Sequence, residues 1–108
     1  MPLVIVDAEN VRRSLWPNLS PTELVTQTRE WAAREGNDVV IVFDGPAPEK
    51  APDVVSSRYA DDEIVRLAQE AEPPVWVVTS DRGLRERVAG HAARVIGGGS
   101  FARELRTD

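Results

Sequence analysis

The stretch 3-LVIVDAENVRRS-14 decides how the rest of the chain is interpreted. Its first four residues form a continuous apolar run, which is typical of a strand buried on both faces of a parallel sheet. The run ends directly in Asp7, and Glu9, Asn10 and two arginines follow. Asp7 is therefore either the N-cap of a helix or a ligand that the strand presents at the edge of the sheet. The other strands decide between these interpretations.

Further strands and helices alternate along the chain. The predicted strands are Leu3–Val6, Val39–Phe43, Val75–Thr79 and the shorter Arg94–Ile96. The clearest helix signal is S-P-T-E at 20–23, which combines a capping serine, a proline at the first helical position and a glutamate three residues after the cap. Further helices are predicted over 61–71, 81–90 and 100–106. This alternation predicts one domain, residues 1–108, folded as a three-layer α/β/α sandwich with a central parallel sheet of about four strands.

Two segments are predicted to be irregular. Residues 45–57 contain three prolines and follow a strand end, where functional loops of such folds gather. The glycine run at 97–99 is predicted to be a flexible turn into the last helix, because it lacks the remaining pattern of a nucleotide-binding P-loop.

Composition limits the function less than it limits the fold. The chain has no cysteine, which excludes disulfides and thiolate metal sites, and it shows no signal peptide or membrane-length apolar run. We therefore expect a cytoplasmic protein. The net charge of −5 argues against nucleic acid as a partner, but all basic residues except Lys50 are arginine, which suits phosphate recognition. Acidic excess is also what a multi-carboxylate metal site produces, so net charge does not settle the partner.

Aspartates fall where the predicted strands end and the helices begin. The candidates are Asp7, Asp44, Asp61, Asp62 and Asp81. Strand ends of a parallel sheet share one edge, and neighbouring strands are about 4.8 Å apart, so these carboxylates are expected to converge. Several ionised carboxylates that close repel each other unless a cation lies among them. Oxygen-only ligation favours Mg²⁺ or Mn²⁺ over zinc, and the lone His91 is expected at the surface.

Helix capping is the competing interpretation for each aspartate. Asp81 precedes a helical pattern and suits an N-cap, and Asp61 or Asp62 would gain from the dipole of the helix they open. These two neighbours differ by about 100° around a helix, so only one of them can point directly at a shared centre. Glu9 has no assigned role.

The motifs together resemble those of a known family. V-D-A-E-N at 6–10, V-F-D-G at 42–45, Y-A-D-D-E-I at 59–64, V-V-T-S-D-R-G-L at 77–84 and G-G-S-F-A-R-E-L at 98–105 occur in the expected order over nearly the whole chain. The pattern is similar to the PIN-like nuclease superfamily, to its NYN domains, and most of all to their YacP-like branch. The sequence departs from that pattern at Ala8-Glu9 and in the length of the 45–57 loop.

The resemblance implies a metal-dependent endoribonuclease. Asp7, Asp61 and Asp81 would be the core metal-binding acids with help from Asp44, and Asn10 would order the site. We expect Mg²⁺ or Mn²⁺ to activate a water on an RNA phosphodiester, and RNA to include mRNA on the ribosome. The predicted contacts to the RNA backbone are Arg12, Arg13, Ser80, Arg82 and Arg85.

Alternatives remain open at this point. One is an inactive PIN-like module that binds RNA or acts as a scaffold, and another is a receiver-like signalling domain, which would need a lysine after its last strand. Trp16 and Tyr59 are candidates for stacking on unpaired bases, although packing against the protein is the favoured role for both. Trp31 and Trp76 are predicted to lie in the core. The sequence leaves the oligomeric state open.

Overall fold

The computed structural model describes residues 1–106 of the chain. The strands are β1 (Leu3–Asp7), β2 (Asp38–Asp44), β3 (Val54–Ser57), β4 (Val75–Val78) and β5 (Arg94–Ile96). The helices are α1 (Ala8–Arg12), α2 (Pro21–Glu35), α3 (Ala60–Glu70), α4 (Arg82–Val88) and α5 (Gly98–Leu105). None of the helices described in residues 1–106 is both long and apolar enough to cross a membrane.

All strands belong to one parallel sheet in the order β3-β2-β1-β4-β5. The predicted fold class is confirmed, but the sheet has five strands rather than about four. The missed strand, β3, lies in the segment predicted to be irregular and pairs with β2 from Ile41↔Val54 to Asp44↔Ser57. It occupies the edge of the sheet and ends in two serines. An edge strand has only one neighbour, so it does not need the continuous apolar run that marks the inner strands.

Each face of the sheet has its own hydrophobic core. Val4 and Val6 pack with α1, α2 and α5 on one face, whereas Ile5 packs with α3 and α4 on the other. This division follows from the two-residue alternation of side chains along a strand. Trp31 is buried as predicted, and its ring meets that of Phe101 edge-on at 4.9 Å. Trp76 is only partly buried: it packs against the edge of the same core, and Arg94 lies over its ring at 4.6 Å.

The ends of the helices follow local signals. At the start of α2, Ser20 accepts a hydrogen bond from the Glu23 amide and Glu23 accepts one from the Ser20 amide, which confirms the predicted capping box. The same helix ends at Gly36, whose φ of 70° favours glycine. The last helix begins earlier than predicted, because Gly98 and Gly99 form its first turn instead of a flexible turn before it.

Candidate active site

The sheet topology places the strand ends that carry aspartates around one crevice. Because β1 lies between β2 and β4, the chain turns to opposite sides of β1 when it forms those two strands. Ligands of open parallel sheets bind beyond the carboxyl ends of the strands at such a point. Asp7 is the last residue of β1, Asp44 the last of β2, Asp81 immediately precedes α4, and Asp61 lies in the first turn of α3.

A cavity of about 570 Å³ opens at this crevice. It is called the acidic cavity below, and its lining residues are Asp7, Glu9, Asn10, Arg13, Ser14, Asp44, Ala60, Asp61, Ser80, Asp81 and Gly99. Five of these residues are carboxylates and one is an arginine. The structure thus brings together Asp7, Asp44, Asp61 and Asp81 from four separate elements. The fifth predicted ligand, Asp62, does not line this cavity.

Asp7 is the buried member of the group, with an exposed fraction of 7%. The hydroxyl of Thr79, itself fully buried, donates to Asp7 Oδ2 at 2.8 Å. Asp7 occupies the N-cap position of α1, and its carboxylate also faces the Asn10 amide in the first turn of that helix. The pKa of Asp7 is raised to about 6, chiefly by burial and also by the charges of Asp61 and Asp81, while the hydrogen bonds from Thr79 and the Asn10 amide act in the opposite direction. Burial and the bond from Thr79 set Asp7 apart from an ordinary exposed N-cap.

Asp81 does cap a helix and also lines the acidic cavity. Its Oδ1 accepts a hydrogen bond from the Leu84 amide at 2.9 Å. Its own amide donates to the Thr79 hydroxyl oxygen at 3.1 Å. Thr79 therefore fixes both the Asp7 carboxylate and the backbone of Asp81. Sequence reasoning had not assigned a role to Thr79, although its place between the end of β4 and Asp81 was the signal that could have found it.

Asp61 and Asp62 face different surroundings, as their separation around the helix predicts. Asp62 accepts a hydrogen bond from Arg87 at 2.8 Å, and its side chain is 68% exposed. Asp61 faces the acidic cavity instead. Partial burial and the negative charges of Asp81 and Asp44 raise the pKa of Asp61, whereas Arg87 acts in the opposite direction.

A chain of hydrogen bonds connects three distant segments beside the cavity. The Ser80 amide donates to Asn10 Oδ1 at 2.9 Å, and the Gly98 amide donates to Ser80 Oγ at 2.8 Å. Asn10 and Ser80 were predicted to be site residues, and the structure places both in the cavity wall. Gly98 was not predicted. A Cβ at this position would lie closer than van der Waals contact to Asn10 Oδ1, so the segment needs glycine there.

The predicted substrate-binding arginines separate into two groups. Arg12 donates to both carboxylate oxygens of Glu9, at 2.9 and 3.0 Å, and to the Leu19 carbonyl, which holds it within the protein. Arg13 lines the cavity, is 65% exposed and lies 3.2 Å from Glu9. Glu9 thus anchors two arginines, and these charges lower its pKa. Arg82 and Arg85 lie outside the cavity lining; Arg85 donates to the Thr79 carbonyl at 3.3 Å.

The carboxylates of the acidic cavity are chemically suitable ligands for a divalent cation, but in this structure they are too far apart to form an ion site. Carboxylate oxygens are the ligands that Mg²⁺ and Mn²⁺ prefer, and mutual repulsion among Asp7, Asp61 and Asp81 would be relieved by a cation. Within residues 1–106, however, no three acidic or histidine side chains lie close enough together to hold one ion. Binding would require exposed carboxylates such as Asp44, Asp61 and Asp81 to turn toward Asp7.

Fold and sequence define the class of the protein. The five-stranded parallel sheet with helices on both faces matches the PIN-like fold of YacP and NYN domains. The YacP-like NYN domain matches residues 5–108, and the chain belongs to that family.

Solved structures that are similar to this chain include two with this fold. Both are Rae1 (YacP) from Bacillus subtilis: a W164L mutant has a TM-score of 0.77, 23% identity and coverage of 98% of this chain and 76% of that one. The other structure, described without a mutation, has a TM-score of 0.76, 23% identity and coverage of 98% and 74%. Comparison with curated proteins gave no significant match.

Proposed function

We propose that this chain is a metal-dependent endoribonuclease that hydrolyses RNA phosphodiester bonds in the acidic cavity. One observation carries the proposal: aspartates from four separate elements line a single cavity around the buried Asp7. Asp7 is buried and accepts a hydrogen bond from Thr79 at the end of another strand, which a helix cap alone does not require. Membership of a nuclease family supports RNA as the substrate.

The residues divide into those that would hold the metal and those that shape the cavity. Asp7, Asp61 and Asp81, with help from Asp44, would hold Mg²⁺ or Mn²⁺. When bound, such an ion supplies an activated water and stabilises negative charge on the phosphate. Thr79 keeps Asp7 in place through its hydrogen bond. Asn10 and Ser80 tie the ends of β1 and β4 to the last helix.

Contacts to the RNA backbone are assigned by exposure. Arg13 is the arginine of the cavity wall and is mostly exposed, which suits contact with a phosphate. Arg12 is committed to Glu9 and Leu19, so we assign it a structural role. Arg82 and Arg85 would contact RNA only beyond the cavity. Cytoplasmic location and mRNA on the ribosome as the substrate remain predictions from the sequence.

Cleavage of single-stranded RNA in Mn²⁺ tests the proposal. The variants are Asp7→Asn and Asp81→Asn, and asparagine at position 81 can still cap α4. Asp38→Asn is the matched control, since Asp38 is an exposed aspartate at the opposite end of the sheet. We expect cleavage by the wild type and the control and its loss in both cavity variants. Equal activity in all four proteins would remove the metal-site proposal.

An inactive RNA-binding module is the second candidate. The observation in its favour is that the carboxylates of residues 1–106 do not converge on a single ion position. RNA binding without cleavage at any Mg²⁺ or Mn²⁺ concentration would select this candidate. A receiver-like domain has no support, because the chain belongs to the YacP-like NYN family.

A further inference from the structure

A second cavity adjoins the acidic cavity. Its volume is about 370 Å³, which falls within the range of about 300 to 1,000 Å³ that is typical of ligand pockets. Arg58, Tyr59, Asp62 and Arg87 line it, and it shares Asp44 and Asp61 with the acidic cavity. Because the two cavities also share Ala60, a strand with one phosphate in the acidic cavity can reach the second one.

Tyr59 is held in place by its backbone while its ring is left uncovered. The Tyr59 amide donates to Ser57 Oγ at 3.1 Å, and its carbonyl accepts from the Glu63 amide at 3.1 Å. The residue as a whole is 70% exposed, contrary to the packing role expected from the sequence. Trp16 was also expected to pack and is 85% exposed. A single exposed aromatic residue is ordinary, so the position of Tyr59 matters more than its exposure.

Arg58 provides a positive charge in the same cavity. Arg87 is paired with Asp62 at 2.8 Å, which neutralises it locally. Arg58 is exposed, and in the part of the chain that the structure describes it has no ion pair. An exposed aromatic ring and an unpaired guanidinium in one cavity are the groups that proteins use to bind single-stranded nucleic acids, with the base on the ring and the phosphate on the cation.

We propose that the second cavity is a nucleotide subsite, in which Tyr59 stacks on one base of the RNA strand and Arg58 contacts a phosphate. The subsite rests on the proposed function, since it binds a nucleotide next to the one whose phosphate is cleaved. Stacking accepts any base, so the subsite positions the strand without selecting its sequence.

The test measures binding separately from cleavage. Short unstructured RNA oligonucleotides carry a single 2-aminopurine, placed at a different position in each, and binding is titrated in Mn²⁺ by fluorescence. All variants are made in an Asp7→Asn background so that the RNA stays intact. Tyr59→Phe retains a stacking face, whereas Tyr59→Ala and Tyr59→Leu remove it. Arg34→Ala is the control for Arg58→Ala, because Arg34 is another exposed arginine, near the C-terminal end of α2.

We expect the quenching of 2-aminopurine to be confined to one position of the strand and to persist in Tyr59→Phe. Tyr59→Ala and Tyr59→Leu should lose it and bind RNA about fivefold or more weakly, the lower end of what stacking of one base contributes. Arg58→Ala should reduce the slope of log K against log salt by about 0.7, the value for one phosphate of a single strand, and Arg34→Ala should leave the slope unchanged.

The subsite is overturned if Tyr59→Ala binds and quenches like the parent, if Tyr59→Leu does so, or if the parent binds no RNA. Cleavage by the chain with Asp7 intact is scored in parallel. Cleavage without any effect of Tyr59 would overturn the subsite and leave the proposed function standing. Binding that depends on Tyr59 without cleavage would overturn the proposed hydrolysis and support the subsite.

Discussion

Replacing Asp7 with asparagine should make the metal-free protein more stable at neutral pH while it abolishes RNA cleavage. The carboxylate is 7% exposed and lies near other negative charges. An asparagine has nearly the same shape, and its side-chain oxygen can still accept the hydrogen bond from Thr79. The variant therefore removes a buried charge without leaving a cavity or an unpaired hydroxyl.

The size of the effect follows from the pKa of Asp7, which is raised from 3.8 to about 6. The folded protein holds this proton more tightly than the unfolded chain, so ionisation of Asp7 opposes folding. The difference corresponds to about 3 kcal/mol above pH 6 and disappears as the pH falls through 6 toward 3.8. The charged residues that share the cavity with Asp7 are Glu9, Arg13, Asp44, Asp61 and Asp81.

Urea unfolding in EDTA, followed by far-ultraviolet circular dichroism, measures this effect. At about pH 7.5 the free energy of unfolding of Asp7→Asn should exceed that of the wild type by up to about 3 kcal/mol, and near pH 4 the two should be equal within error. Asp38→Asn reports what loss of an exposed carboxylate does at each pH. A variant that is destabilised by the same amount at both pH values would refute the reasoning, because the effect would then come from packing instead of charge.

Three further predictions concern the same region. Asp61→Asn should lower the rate of RNA cleavage by roughly 10-fold or more. Asp62→Asn should have a smaller effect, because of these two residues only Asp61 faces the acidic cavity. Cleavage rates under single-turnover conditions show which variant is more impaired. Gly98→Ala should lower the free energy of unfolding by roughly 1–3 kcal/mol, because the new methyl group clashes with the Asn10 side chain. Gly90→Ala is the control, since nothing lies within 4 Å of its new methyl group. The same urea titration should show no loss of stability for this control. Mn²⁺ should raise the melting temperature of the wild type. At a Mn²⁺ concentration of 100 times the dissociation constant, the folded state gains about 2.7 kcal/mol of stability. An unchanged melting temperature would argue against an ion in the cavity.

The inner strands of the fold could be predicted because burial on both faces requires a continuous apolar run. Leu3–Asp7 and Val75–Val78 show this requirement directly. The edge strand Val54–Ser57 could not be found in this way, since one of its sides has no neighbouring strand. The exposure of Trp16 and Tyr59 could not be predicted either, because an aromatic residue in a turn or just before a helix can pack inward or point outward with the same local signals.

The part of the candidate site that lies at strand ends could be predicted, because the carboxyl ends of parallel strands share one edge of the sheet. Asp7, Asp44 and Asp81 follow from that rule, and Asp61 from the start of the next helix. Contacts between segments far apart in the sequence were not predictable. The bond from Thr79 to Asp7 joins residues 72 positions apart, and no local pattern reports such a pairing.

The link from Asn10 through Ser80 to Gly98 has a consequence for the order in which the protein matures during synthesis. The wall of the acidic cavity includes Gly99, which leaves the ribosome after every aspartate of the cluster has been made. The last helix then docks through Phe101 against Trp31 and through Glu104, which accepts a hydrogen bond from the Trp31 indole at 3.0 Å. We therefore expect a nascent chain to carry the aspartates of the cavity in an open crevice and to complete the cavity only when α5 is in place.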